Sequence, residues 1–378
     1  MSSVLGLALS IIFGNFFSKE LFGTYKYIQA MAGFLGIFAL SGMGMAITRA
    51  VARGYDRTLI LGVKTAIRWS FLSGLASIIL GAYYLIHGNR ILGLAFLLIS
   101  IFLPFKDTLS LYRSMLEGKK LFSVETKYAL LNQIVTSGTL ILVVFLTQNI
   151  FIVLAAYFAP KVLMGLIFYL RTLRMIPPES QEDPSALSYG KHLSLLGILM
   201  TISEQLDKLL VWNSVGAIQL ALYSFSIAPV IQGRGFLNNI FHLTLPKIAK
   251  GDVTELKKKL PRSMLLMVLP MVAIVTTYII SAPLLYRIFL PKYSDSILLS
   301  QIFSLSLLFL PRGFMTDAIT LHAPNKYLYI FNLSTSCVRI AILVPLVFYY
   351  GALGAILAYI ASEIYITALS SYIFFRKI

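Results

Sequence analysis

Six cations lie inside apolar runs of this 378-residue chain: Lys106, Lys161, Lys208, Arg234, Arg312 and Arg339. The acids Asp107, Glu204, Asp207, Asp317 and Glu363 stand near them in sequence. The densest group is in Lys191–Gly216, KHLSLLGILMTISEQLDKLLVWNSVG. Glu204 and Lys208 are four positions apart, so on a helix they share a face and can pair. Asp207 is turned about 100° from Lys208. Two readings of this group stay open. Lys208 faces an anion in a polar cavity, with Glu204 and Asp207 tuning it or binding a coupling cation; or Lys208 snorkels outward with the acids as partners. Arg234 lies between Gly233 and Gly235, which let a backbone or a ligand come close. A guanidinium there suits bidentate capture of a diphosphate, or a structural pair with Glu204 or Asp207.

The remaining charges read more plainly. Lys106 and Asp107 are adjacent and point different ways, so a helix–helix pairing role is expected, and Lys161 after Pro160 is similar. Arg312 and Asp317 are expected as a snorkelling pair about Gly313, and Arg339 and Glu363 as an interhelix salt bridge. Arg49 and Arg53 close an apolar run; they are topology anchors or contacts for an anionic head group at the inner side.

The elements that must position these groups are membrane helices. Hydrophobic residues make up 58% and charged ones only 12%, against roughly 25% charged in soluble domains. Apolar runs recur along the whole chain, most of them near the roughly 20 residues that cross a bilayer. A charge at that depth costs about 2.5–3.5 kcal/mol, which marks the six cations as unusual. The net charge of +17 is explained by loops at an anionic membrane surface, with no nucleic acid expected. Cys337 is the one cysteine, and the four histidines are far apart, so neither a disulfide nor a metal site is expected. The chain holds no Asp-x-Asp pair, Gly-rich phosphate loop or Ser/His/Asp constellation, and its outer loops are short. Neither an enzyme nor a cofactor is therefore expected.

Twelve spans are counted, at about 4–17, 27–47, 69–86, 91–112, 128–146 and 150–170, then 191–216, 217–245, 264–290, 296–319, 327–348 and 352–375. Pro177, Pro178, Pro184 and three acids mark the division between them. The domains are a first lobe at 1–176, a cytoplasmic linker at 177–190 and a second lobe at 191–378. With the N-terminus in the cytoplasm, inner loops and helix ends hold 21 basic residues and outer ones 5. The positive-inside rule then places both termini in the cytoplasm. The run 1–17 has no basic n-region or cleavage site, so it reads as a retained, short first helix.

An internal repeat links the halves. Leu21–Tyr25 leads into span two and Arg49–Gly54 leaves it; Leu220–Tyr223 and Pro246–Gly251 do the same for span eight. Tyr25 to Gly54 is 29 positions and Tyr223 to Gly251 is 28. Both copies run in one direction, as in a parallel repeat about the membrane normal.

Leu40–Gly54, Asp207–Leu210, Ala221–Pro229 and Gly351–Ala355 resemble bacterial polysaccharide biosynthesis proteins. These are the oligosaccharide flippases of the multidrug/oligosaccharidyl-lipid/polysaccharide exporter superfamily. The resemblance covers nearly the whole chain. It implies an all-α integral membrane fold of about twelve helices. Two six-helix lobes, related by a parallel pseudo-two-fold repeat, would enclose a central cavity lined by the first, second, seventh and eighth helices. It implies transport of undecaprenyl-pyrophosphate-linked oligosaccharide across a bacterial cytoplasmic membrane by alternating access, driven by Na+ or H+. The head group would meet Arg234, Lys208, Arg49 and Arg53, and the coupling cation Glu204 or Asp207. Membrane lipids, a polymerase or glycosyltransferases are the implied partners of a monomer. Two alternatives stand beside it. A multidrug antiporter would carry membrane-depth acids in the first lobe, and spans one to three have none. A membrane-embedded polymerase or transferase would need a substantial outer loop.

Overall fold

A bilayer offers no water to the backbone, so each spanning segment must satisfy its own N–H and C=O groups. The computed structural model describes residues 2–242 and 253–377, and among them every regular element is helical. In chain order these are α1 (Ser2–Phe16), α2 (Lys19–Phe34), α3 (Met43–Ala52), α4 (Thr58–Ile86), α5 (Arg90–Ser100), α6 (Leu103–Lys106) and α7 (Tyr112–Gly118). Then follow α8 (Phe122–Leu146), α9 (Ile150–Leu173), α10 (Pro184–His242), α11 (Val253–Phe289), α12 (Ile297–Ser304), α13 (Gly313–His322) and α14 (Asn325–Lys377). Short 3-10 turns fill Leu35–Ala39, Leu109–Leu111, Pro291–Ser296 and Leu305–Arg312.

Seven helical segments are long and apolar enough to cross a membrane. Two of these, α10 and α14, are double, broken at Gly216 (φ +84°) and Gly351 (φ +55°). Two bent pairs add a span each, Lys19–Ala39 with Met43–Ala52 at 49° and Arg90–Ser100 with Leu103–Gly118 at 46°. With the short apolar helix Leu5–Phe16 the expected twelve are complete among the described residues. The protein is an all-α integral membrane protein.

Both glycine breaks are demanded by the backbone, because a positive φ costs a side-chain-bearing residue roughly 1–2 kcal/mol. They let one helix turn straight into the next with no loop. The two corners also meet: a Cβ on Gly351 would lie 3.1 Å from the Val215 side chain.

Several boundaries differ from the sequence expectation. The second span starts at Lys19 and bends at Leu40, whose φ is +52°. Lys64 and Arg68 lie inside α4, not in a basic loop, because the helix begins at Thr58. α10 begins at Pro184, a residue suited to the first turn of a helix. Helix thus takes in the last part of the expected linker. Lys247 and Lys250 of the most basic loop, and Pro246–Gly251 of the second repeat copy, lie outside the described residues.

By contact the chain divides into two compact units, one of Ser3–Gly23 with Leu206–Ile378 and the other of Thr24–Gln205. The boundary between these units falls inside α10. In the first unit α1 is fastened at one end. Lys19 pairs with Asp295 at 2.9 Å, and Lys292 donates to the Asn15 carbonyl at 2.6 Å. Phe22 stacks on Phe225 at 4.4 Å, and a Cβ on Gly23 would meet the Ala217 carbonyl oxygen at 1.9 Å.

In the second unit α4 packs on α5 through small residues: Ser70, Ser73, Ser77 and Gly81 are buried. Ser77 donates to the Phe96 carbonyl at 2.7 Å. Small residues let helices approach closely where lipid gives no hydrophobic drive. Elsewhere large apolar side chains face outward, as Leu265, Leu266, Leu269 and Ile280 do on α11. That pattern suits hydrocarbon, not water.

Candidate functional site

The buried charges of the unit containing Leu206–Ile378 gather in two places. The first is on α10 before the Gly216 corner. Asp207 is buried and accepts from the Tyr223 hydroxyl at 2.6 Å, the Lys208 amide at 2.8 Å and Lys208 Nζ at 3.2 Å. Sequence spacing favoured Glu204 as the partner of Lys208; the structure gives Lys208 to Asp207 instead and leaves Glu204 exposed. The reason is side-chain reach: Lys208 folds back beside its neighbour, where Tyr223 already fixes the carboxylate. The acid-pairing half of the snorkelling alternative is thereby met by Asp207.

The second place is larger. Arg234, beyond the corner, donates through Nη2 to Glu363 Oε1 at 3.2 Å and through Nη1 to the Tyr359 hydroxyl. Arg312 Nη2 lies 2.5 Å from Glu363 Oε2. Arg339 packs over the Tyr359 ring at 5.1 Å. With Lys208, all four expected pairings in this lobe are therefore redistributed. Arg234 meets neither Glu204 nor Asp207 as its carboxylate, Arg339 has the ring where Glu363 was expected, and Arg312 pairs with Glu363 where Asp317 was expected. Glu363 is the hub because it projects from the second arm of α14 between the two guanidiniums. Its side chain is 5% exposed, against 12% for Arg312 and 19% for Arg234. Among the described residues Arg312 Nη1 is buried with no hydrogen-bond partner.

A cavity of about 240 Å³ opens beside this cluster, lined by Arg234, Asn238, Arg312, Thr316 and Asp317 among others. Among the described residues the lining carries the charges of Arg234, Arg312 and Asp317, and Glu363 bridges the two guanidiniums. Counting along the helices gives the depth. At a rise of about 1.5 Å per residue, Lys208 is about 12 Å from the Gly216 corner, while Arg234 is about 27 Å from it. Arg234 is thus well past mid-span, toward the far end of its helix. Glu363 and Arg339 are each about 18 Å from the Gly351 corner by the same count.

In the unit containing Thr24–Gln205, Arg53 pairs with Asp183, and Arg49 lies 5.2 Å over the Tyr189 ring. Asp183 accepts from the amide and hydroxyl of Ser185 at 2.9 and 2.7 Å, capping α10. These hydrogen bonds, and then the Arg53 charge, hold its carboxyl below the usual range. Lys119 pairs with Asp56 at 2.6 Å nearby. Both arginines thus serve as fasteners of this surface and keep exposed parts. Lys106 pairs with its neighbour Asp107 at 3.2 Å, and Lys161 sits over Tyr157, 3.9 Å from the ring centroid. Sequence reasoning missed Tyr223 and Tyr359 altogether. Each is a tyrosine facing a charge across a helix pair, a pattern with no sequence spacing to reveal it.

The profile of the polysaccharide biosynthesis protein family matches residues 1–252. The chain belongs to this family. Its fold is shared with solved structures that cover almost all of it. The lipid II flippase MurJ in an inward closed conformation aligns at 15% identity and a TM-score of 0.73, over 98% of this chain and 85% of that one. An inward-facing multidrug resistance MATE family transporter of the MOP superfamily aligns at 14% identity and 0.60, over 98% and 96%. A MOP superfamily transporter from Pyrococcus furiosus aligns at 13% identity and 0.56, over 98% and 92%. At these identities the likeness is one of fold: a two-lobe, twelve-helix membrane fold. Among curated proteins none matches the sequence.

Proposed function

We propose that this family member is a flippase that carries undecaprenyl-pyrophosphate-linked oligosaccharide across the bacterial cytoplasmic membrane by alternating access. It works as a transporter, not an enzyme. The observation that carries this reading is that two guanidiniums, Arg234 and Arg312, line one cavity, where Arg312 Nη1 has no hydrogen-bond partner among the described residues. A diphosphate can be gripped there by both side chains. Pockets for whole small ligands run to roughly 300–1,000 Å³. A cavity of about 240 Å³ suits the head group and leaves the glycan and the lipid outside it. With both termini cytoplasmic, Gly216 and Gly351 are outer corners, and Arg234 lies toward the inner leaflet where the substrate is made.

In this reading Arg234 is the first anion contact, with Arg312 joining the set. Lys208, held by Asp207, serves the outer half of the path, and Arg49 and Arg53 greet the head group at the inner surface. A coupling Na+ or H+ falls to Asp207 rather than exposed Glu204, because Asp207 is buried and already gathers donors. The lobes at 1–176 and 191–378 rock about a central cavity, joined by the cytoplasmic segment 177–190. Polymerase and glycosyltransferase partners act before and after the step.

The test is surface-glycan export or lipid-linked oligosaccharide flipping in Arg234→Ala, Arg312→Ala and Lys208→Ala variants. Loss of transport in the arginine variants at normal protein level is expected. Normal transport in all three would sink the site.

A further inference from the structure

The anion reading of the Arg234 cavity leaves one group without a task. Glu363 occupies the same guanidiniums that would grip a diphosphate. It competes for them with an anion, since Arg234 donates Nη2 to its Oε1 at 3.2 Å and Arg312 Nη2 forms an ion pair with its Oε2 at 2.5 Å. An arriving anion must compete with a carboxylate built into the protein.

The groups that face Glu363 fix what happens next. Arg234 comes from α10 and Arg312 from the Leu305–Arg312 turn. Tyr359, one turn earlier on α14, accepts from Arg234 Nη1 at its hydroxyl and holds Arg339 over its ring. Asp317 of α13 lines the cavity they share. Among the described residues, no lysine or histidine is among these neighbours. When Arg234 and Arg312 turn to an anion, the carboxylate loses its cations in a site where it is 5% exposed. A buried charge stripped of its partners is expensive, and such groups neutralise instead.

We propose that Glu363 couples anion binding to proton uptake. The guanidiniums pass from the carboxylate to the anion, and the carboxylate takes one proton from water to become a neutral acid. When the anion leaves, the guanidiniums return and the proton is released to water. Arg312 makes the exchange easy, because its buried Nη1 has no hydrogen-bond partner among the described residues. One donor is in place before any bond to Glu363 is given up. The proposal rests on the anion reading of this cavity and adds the coupling group to it. A proton then enters the transport cycle through a carboxylate of the last span, beside any coupling cation held at Asp207 of α10.

The experiment uses the full chain in detergent and inorganic pyrophosphate as the probe. Infrared difference spectra with and without pyrophosphate report protonation directly, because the probe has no C=O group. A protonated carboxyl band is expected to grow on binding to the wild type and to be missing in Glu363→Gln. That variant should bind pyrophosphate tighter by about tenfold or more, having lost the competing carboxylate. Pyrophosphate bound to the wild type without the band overturns the coupling and spares the anion reading. Wild type that binds no pyrophosphate overturns both. A band that persists in Glu363→Gln also overturns the proposal. Should that variant fail to fold, the wild-type spectrum alone still decides: a growing band supports the coupling and its absence ends it.

Discussion

Arg234 and Glu363 lie 129 positions apart and meet at 3.2 Å, joining the eighth span to the twelfth. Arg312 reaches the same carboxylate from a third element. The triad thus carries two cations on one anion, and the balance decides which removal is worst. Glu363→Gln leaves two buried guanidiniums with no carboxylate between them. It should cost roughly 3–5 kcal/mol, as loss of one partner of a buried ion pair does. Arg234→Met leaves the neutral Arg312–Glu363 pair and should cost clearly less. Combining the two restores the original net charge and should recover much of the loss. Melting temperatures of the purified variants in detergent check the order; equal destabilisation by both single changes would refute it.

Close backbone approach gives a second contrast. At Gly23 an added Cβ would sit 1.9 Å from the Ala217 carbonyl oxygen, so the two helices must part. Gly138, on α8, has nothing within 4 Å of that position. Gly23→Ala should lower thermal stability markedly. Gly138→Ala should leave it unchanged or raise it, since alanine is favoured over glycine in a helix by up to about 1 kcal/mol.

The Asp183 cap predicts a pH dependence. Its folded carboxyl is held below the ordinary value by the Ser185 hydrogen bonds and by Arg53. A depressed carboxyl contributes stability above its unfolded value of about 3.9 and loses it as pH falls through the folded value. Asp183→Asn should therefore melt at a lower temperature than wild type at pH 7. The gap should shrink only in acid, below about pH 4. A gap that is constant down to that range would mean the cap works by shape alone.

Cys337 provides a probe of membrane placement. It is exposed on α14, about 21 Å along the helix from the Gly351 corner. Exposure there means contact with lipid. A charged, membrane-impermeant maleimide should leave it unlabelled in intact membranes and label it after solubilisation and denaturation. Labelling in intact membranes would put this segment in water.

Most of the architecture was legible in the chain itself. Apolar length marks spans without reference to neighbours, because each must satisfy its backbone alone. The glycine corners at 216 and 351 and the polar break near 177–190 were visible as interruptions. Bends were not: the breaks after Ala39 and Ser100 sit inside continuous apolar runs. Nor was the reach of helix past the membrane, since the basic residues of α4 look like a loop to a hydropathy count.

The site divides along the same line. Residue type and depth by themselves singled out Arg234, Lys208, Asp207, Arg312, Arg339 and Glu363, because a charge in an apolar run is costly wherever the helix sits. Partners were another matter. Local spacing offered Glu204 to Lys208 and Asp317 to Arg312, and the order of the spans offered Glu363 to Arg339. Packing chose Asp207 for the first and Glu363 for the second, and set Arg339 over Tyr359. Sequence therefore determined which charges enter the membrane. Only the tertiary structure decided who neutralises whom, because that depends on which faces of distant helices are turned together, and no spacing along one helix records it.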